Sequence, residues 1–175
     1  MGRDNNRKPR DKREKPEYDQ KLLDLARVTR VVKGGRRFRF RATLVIGNRK
    51  GKVGVGVGKG ADVSDSIQKA YSDAKKNLVE VPVIKNTIAH DVSMKDGSAR
   101  VILKPAAKGR GIVAGGAVRA VVDYAGIKDI VSKSLGTANK LNVARATVKA
   151  LDSLKAARSR QSRTGIKEEK ATVNE

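Results

Sequence analysis

Residues 36–60 read RRFRFRATLVIGNRKGKVGVGVGKG. The first half alternates with period two: Phe38, Phe40, Ala42, Leu44 and Ile46 fall on one face, and Arg37, Arg39, Arg41 and Thr43 on the other. This spacing predicts a strand that buries its phenylalanine row and presents a row of arginines. GNRKG at 47–51 predicts a hairpin turn whose glycines supply positive φ, with Arg49, Lys50 and Lys52 making a basic tip. The returning strand puts Val53, Val55 and Val57 on one face and leaves Gly54, Gly56 and Gly58 bare on the other. Glycine weakens a strand, so such a row is expected where a second backbone, of helix or of RNA, comes very close.

The charge around this hairpin has one sign. Between residues 27 and 60 stand Arg27, Arg30, Lys33, Arg36, Arg37, Arg39, Arg41, Arg49, Lys50, Lys52 and Lys59, with no Asp or Glu. The whole chain of 175 residues carries 40 Lys and Arg against 18 Asp and Glu, a formal net charge of +22. A surface that positive repels itself unless a polyanion neutralises it, which makes nucleic acid the expected partner. A membrane is the weaker alternative, because no apolar run is long enough to span a bilayer and no leader pattern opens the chain. A soluble intracellular protein is expected. The absence of cysteine excludes disulfides, thiol nucleophiles and thiolate zinc sites. Aromatic residues make up only 3% (Tyr18, Phe38, Phe40, Tyr71, Tyr124), which speaks against a track of base-stacking platforms and for recognition of RNA backbone and shape.

Two domains of α+β class are expected around this stretch. Residues 1–20 are polar, mixed in charge and interrupted by Pro9 and Pro16, the composition of a disordered arm. The first domain spans 21–81: a short helix from Leu22, Leu23, Leu25 and Ala26, the antiparallel strands, and a helix over 63–79 with Val63, Ile67, Ala70, Tyr71, Ala74 and Leu78 on one face. The second spans 82–155. TIAHDVS (87–93) and SARVILK (98–104) flank the turn KDG and predict a hairpin. The loop PAAKGRG (105–111) precedes a helix over 114–126 stopped by Gly126, then a strand IKDIVSKSL and a helix over 141–154. Residues 156–175 read as a flexible tail.

Enzymatic readings fail on spacing. A phosphate-binding loop ending at Gly58 and Lys59 needs glycine where Val53 stands, and a hydroxyl residue where Gly60 stands. Gly56, Gly58 and Ala61 fit a relaxed dinucleotide fingerprint, but the preceding strands form a hairpin and not a parallel βαβ unit. His90 has no second histidine or cysteine with which to share a metal, and Asp62, Asp65, Asp73 and Asp91 show no acid/base spacing. No catalytic residue, metal, cofactor or small-molecule substrate is expected.

The segments GGRRFRFRATLVIGNRKGKVGVGVGKGADVSDSIQKA (34–70) and GRGIVAGGAVRAVVDYAGIKDIVSKSLGTANKLNVARATVKAL (109–151) closely resemble the two domains of bacterial ribosomal protein five of the small subunit. The resemblance runs from about residue 25 to 154. It implies an N-terminal double-stranded-RNA-binding-like αβββα domain and a C-terminal two-layer β/α domain with a left-handed crossover. It implies a cytoplasmic protein of the small ribosomal subunit that binds its ribosomal RNA, touches neighbouring proteins four and eight, lies near incoming mRNA, and contributes to assembly and decoding accuracy. Carried over by position, Lys33, Gly34 and Gly35 with Arg30 and Arg36 match the loop that reaches toward the head RNA. Gly54, Gly56, Gly58 and Lys59 match the glycine strand, and residues 105–113, with Lys108, Gly109, Arg110 and Gly111, match the loop facing protein four. Gly60, Asp62, Arg110 and Lys140 depart from the residues the family usually carries at those places. A free RNA or DNA chaperone and a nucleotide-dependent enzyme are the rival classes.

Overall fold

The computed structural model describes residues 17–154, which form two four-stranded sheets and three helices. In the first sheet β1 (Asp19–Val32), β2 (Gly35–Gly47), β3 (Lys52–Gly60) and β4 (Leu78–Glu80) lie side by side in chain order, all antiparallel. Helix α1 (Val63–Lys76) joins β3 to β4. The second sheet takes the order β5 (Val92–Asp96), β6 (Ala99–Pro105), β8 (Ile130–Leu135), β7 (Ile112–Val113). Helix α2 (Gly116–Ala125) connects the parallel neighbours β7 and β8, and α3 is described over 140–154.

The β2–β3 hairpin has both faces covered. In the antiparallel register Gly54, Gly56 and Gly58 oppose Ile46, Leu44 and Ala42, so these residues share one face. Helix α1 lies directly on it: a Cβ placed on Gly56 would sit 2.2 Å from the Ala70 carbonyl oxygen and 2.3 Å from the Ala74 nitrogen. Ala42, Leu44, Ile46, Ala70, Ala74 and Tyr18 form the core there. The opposite face carries Val45, Val53 and Val55 into a larger core with Val118, Val121 and Val122 of α2, Val143, Ala146 and Leu151 of α3, and Val101 and Leu103 of the second sheet. The two domains therefore share one apolar core.

The hairpin turn completes this junction with backbone bonds. Arg49 N–H donates to the Tyr124 carbonyl (3.0 Å) and Gly51 N–H to the Ala125 carbonyl (2.9 Å), so the turn satisfies acceptors that the end of α2 would otherwise leave open. Gly126 stops α2 in the left-handed region, as expected (φ 89°), and its missing side chain also admits the Arg49 carbonyl.

Some segments differ from the sequence expectation. Residues 22–26 are strand, not helix: β1 pairs with β2 from Asp19 to Val32, and a register shift between Leu22 and Asp24 leaves Leu23 without a partner on β2. That bulge breaks the period of two and makes the segment read unlike a strand. The described part of the first domain thus runs βββαβ, with no leading helix. The arm expected over 1–20 is folded from Tyr18 on, since Tyr18 is buried and Asp19 and Gln20 belong to β1. Residues 1–16 and the expected tail over 156–175 lie outside the described residues. Strand β5 begins only at Val92, and β7 has no counterpart in the sequence reading.

Gly56→Ala is expected to cost at least about 3 kcal/mol of folding stability, because the new methyl meets helix backbone that cannot rotate away. Gly34→Ala, with nothing within 4 Å of its Cβ, should stay within about 0.5 kcal/mol of wild type in the same denaturant titration. The shared core also predicts one unfolding transition. Amides of β2 and of α3 should lose hydrogen-exchange protection together, and separate midpoints would show two independent units.

Candidate nucleic-acid interface

β3 pairs with β2 only from Phe40 to Gly47, whereas β1 follows β2 out to Gly35. Residues 28–39 therefore leave the sheet as a two-stranded ribbon closed by Lys33 and Gly34. Lys33, Gly34, Gly35, Arg36, Arg37 and Arg39 are all exposed. The register sorts the cations by face. Arg30 opposes Arg37, Val28 opposes Arg39, and Arg41 lies between Ala26 and Lys59. Val28, Arg30, Arg37, Arg39 and Lys59 line one groove.

No acid balances this groove. Among the described residues the ion pairs are Arg49–Asp19, Lys69–Asp65, Lys104–Asp91, Lys140–Asp24 and Lys149–Asp96, none of which involves a groove cation. The buried Nε–H of Arg41 has no hydrogen-bond acceptor. Opposed like charges and an unpaired buried donor both cost stability, and an anion seated in the groove would relieve the repulsion. The perturbed titrations lie elsewhere: the Lys69 ammonium, hydrogen-bonded to Asp65, holds that carboxyl below the usual range, and desolvation with Glu17 nearby raises Tyr18.

The expected sites do not all converge. The face of Gly54, Gly56 and Gly58 is occupied by α1, so its close approach is to helix backbone and not to RNA. Lys59 points away from α1 and joins the arginine groove opposite Arg41, while Asp62 and Asp65 already occupy the start of the helix. Arg36 faces the other side of the ribbon with Phe38, across from Val31. The expected burial of the phenylalanine row holds only from Ala42 inward: Phe38 is 46% exposed and Phe40 half-buried, because α1 does not reach that far along β2. Thr43, expected beside the arginines on the open face, is buried. Arg49, Lys50 and Lys52 sit at the other end of β2, roughly 40 Å from Gly35 at the usual rise per strand residue. There Arg49 pairs with Asp19 and Lys52 opposes Glu80.

In the second domain Lys108 and Arg110 are exposed on a loop held from beneath. The buried Asp129 accepts the N–H groups of Gly109 (3.0 Å) and Gly111 (2.9 Å). Sequence reasoning missed Asp129, whose signal was a lone acid at the start of an apolar strand. It also missed a second cationic face. The strand order brings Lys95 opposite Arg100 and Lys133 opposite Ile102, on the side of the sheet away from Val101 and Leu103, and Lys104 projects there as well. Among the described residues no cluster of His, Cys, Asp and Glu suits a metal, and no helix is long and apolar enough to cross a membrane.

Asp129→Ala is expected to cost about 1–3 kcal/mol and to speed hydrogen exchange at Gly109 and Gly111 most of all. Exchange equally fast throughout the loop in wild type would remove the anchoring role.

The family model described as ribosomal protein S5, N-terminal domain, matches residues 18–82, and the one described as ribosomal protein S5, C-terminal domain, matches residues 94–167. The small ribosomal subunit protein uS5 of Campylobacter jejuni strains 81-176, 81116 and RM1221 is 55% identical over 145 residues, covering 83% of this chain and 99% of each relative. With both domain matches in order along one shared core, the chain belongs to the ribosomal protein S5 family.

Proposed function

We infer that the ribbon groove of Arg30, Arg37, Arg39, Arg41 and Lys59 binds the phosphate backbone of small-subunit ribosomal RNA. The observation that carries this reading is five cations on one face, without an acid partner among the described residues, around an Arg41 Nε–H that lacks an acceptor. Family membership makes the chain a structural, non-enzymatic constituent of the small ribosomal subunit, with ribosomal RNA and other ribosomal proteins as partners. The ribosome in the cytoplasm is its place of work.

Finer assignments rest on geometry and resemblance together. Lys33, Gly34, Gly35 and Arg36 at the ribbon tip lie beyond the end of β3 and are suited to reach RNA of the head. Arginines at alternate strand positions meet successive phosphates without reading bases, so they set orientation more than sequence preference. Arg49, Lys50 and Lys52 at the domain junction form a second, separate contact to RNA. The Asp129-anchored loop from Lys108 to Gly111 faces protein four, and the open basic face of the second sheet is free for protein eight or RNA. Assembly, guidance of incoming mRNA and decoding accuracy follow from a rigid body held at several RNA points.

Replacing Arg37, Arg39 and Arg41 together with Gln should leave the fold intact and weaken binding to a small-subunit RNA fragment. The slope of log affinity against log salt should become shallower by about 2–3, near 0.7–0.9 for each lost phosphate contact. An unchanged slope would overturn the groove assignment.

A further inference from the structure

We propose that Phe38 and Arg27, on the ribbon face opposite the arginine groove, form a stacking platform for one unpaired RNA base. This rests on the RNA-binding reading above and adds a second kind of contact to it.

Phe38 is 46% exposed although it stands in the alternating row that α1 buries farther along. The guanidinium carbon of Arg27 lies over the Phe38 ring, 3.7 Å from its centroid, a cation–π contact. The ring shares its face with Thr29 opposite, Arg27 and Val31 on β1, and Arg36 and Phe40 on β2; an apolar protein surface laid over this mixed patch would desolvate both guanidiniums without partners. A nucleobase suits the same place, because it stacks on ring and guanidinium alike and brings a phosphate with it. Phe40, two positions along on the same face, is half-buried, Tyr18 and Tyr124 are in cores and Tyr71 packs against one, so Phe38 is the one exposed ring among the described residues and the platform takes a single base.

The topology lets one strand of RNA use both faces. From Arg36 to Arg39 the edge of β2 away from β1 is unpaired, since β3 joins only at Phe40. Arg37 and Arg39 point to one side of this edge and Phe38 to the other. An RNA strand that crosses the edge keeps its phosphates on the arginines while one base turns under to Phe38. An RNA with a bulged or looped-out nucleotide provides that base at little cost, and a continuous duplex does not.

The test uses the full chain and two RNA hairpins, identical except that one carries a single bulged 2-aminopurine. The bulged hairpin should bind about 5- to 150-fold tighter, the effect of one base stack, with the 2-aminopurine fluorescence quenched. Phe38→Leu, which keeps the apolar volume, should abolish the preference and the quenching, and Phe38→Trp should retain both. The triple Gln variant of the groove should weaken both hairpins alike. A preference that survives Phe38→Leu, or is lost in Phe38→Trp, overturns the platform. Equal wild-type binding to both hairpins overturns the platform but leaves RNA binding standing. Failure of wild type to bind either hairpin removes the RNA reading and the platform together.

Discussion

The β2–β3 hairpin is buried on both faces, and the remaining architecture depends on how each face is covered. On one side α1 lies so close that Gly56 has no room for a methyl group. Backbone then meets backbone, with the Ala70 and Ala74 side chains filling what space is left. On the other side Val45, Val53 and Val55 enter the core built by α2 and α3. Glycines that weaken an isolated strand are thus the condition for a two-sided hairpin. The same hairpin fixes the second domain, because its turn supplies N–H groups to the last carbonyls of α2.

Rigidity at that junction determines what the charged parts can do. The ribbon leaves the sheet from strands anchored in both cores, so the backbone positions and the face of its arginines are set by the sheet register. Their mutual repulsion in the free protein is tolerated because burial elsewhere outweighs it, and a polyanion in the groove would relieve it. The acids follow the same division. Asp19, Asp24, Asp65, Asp91 and Asp96 pair with lysines or arginines away from the groove. Asp73 accepts the Val57 N–H at the edge of β3, and Asp129 is spent on the loop from Lys108 to Gly111.

The sequence by itself determined the hairpin, its two alternating rows, the concentration of positive charge over residues 27–60, the three helices that follow the hairpin and the glycine stop at Gly126. These depend on local periodicity and on φ preference, which neighbouring residues along the chain specify. It also carried the family resemblance. Tertiary structure decided the remainder. Whether Gly54, Gly56 and Gly58 faced RNA or a helix depended on where α1 returned, which no local pattern states. Leu22 to Ala26 became strand because β2 offered a long unpaired edge, and a bulge concealed the alternation. The single basic block divided into a ribbon and a distant junction because thirteen residues of extended β2 lie between its ends. Lys59 joined the arginines, Asp129 came beneath the loop and Phe38 was left open for the same reason. Cross-strand register and the reach of a helix bring together or separate residues that sequence distance alone does not relate.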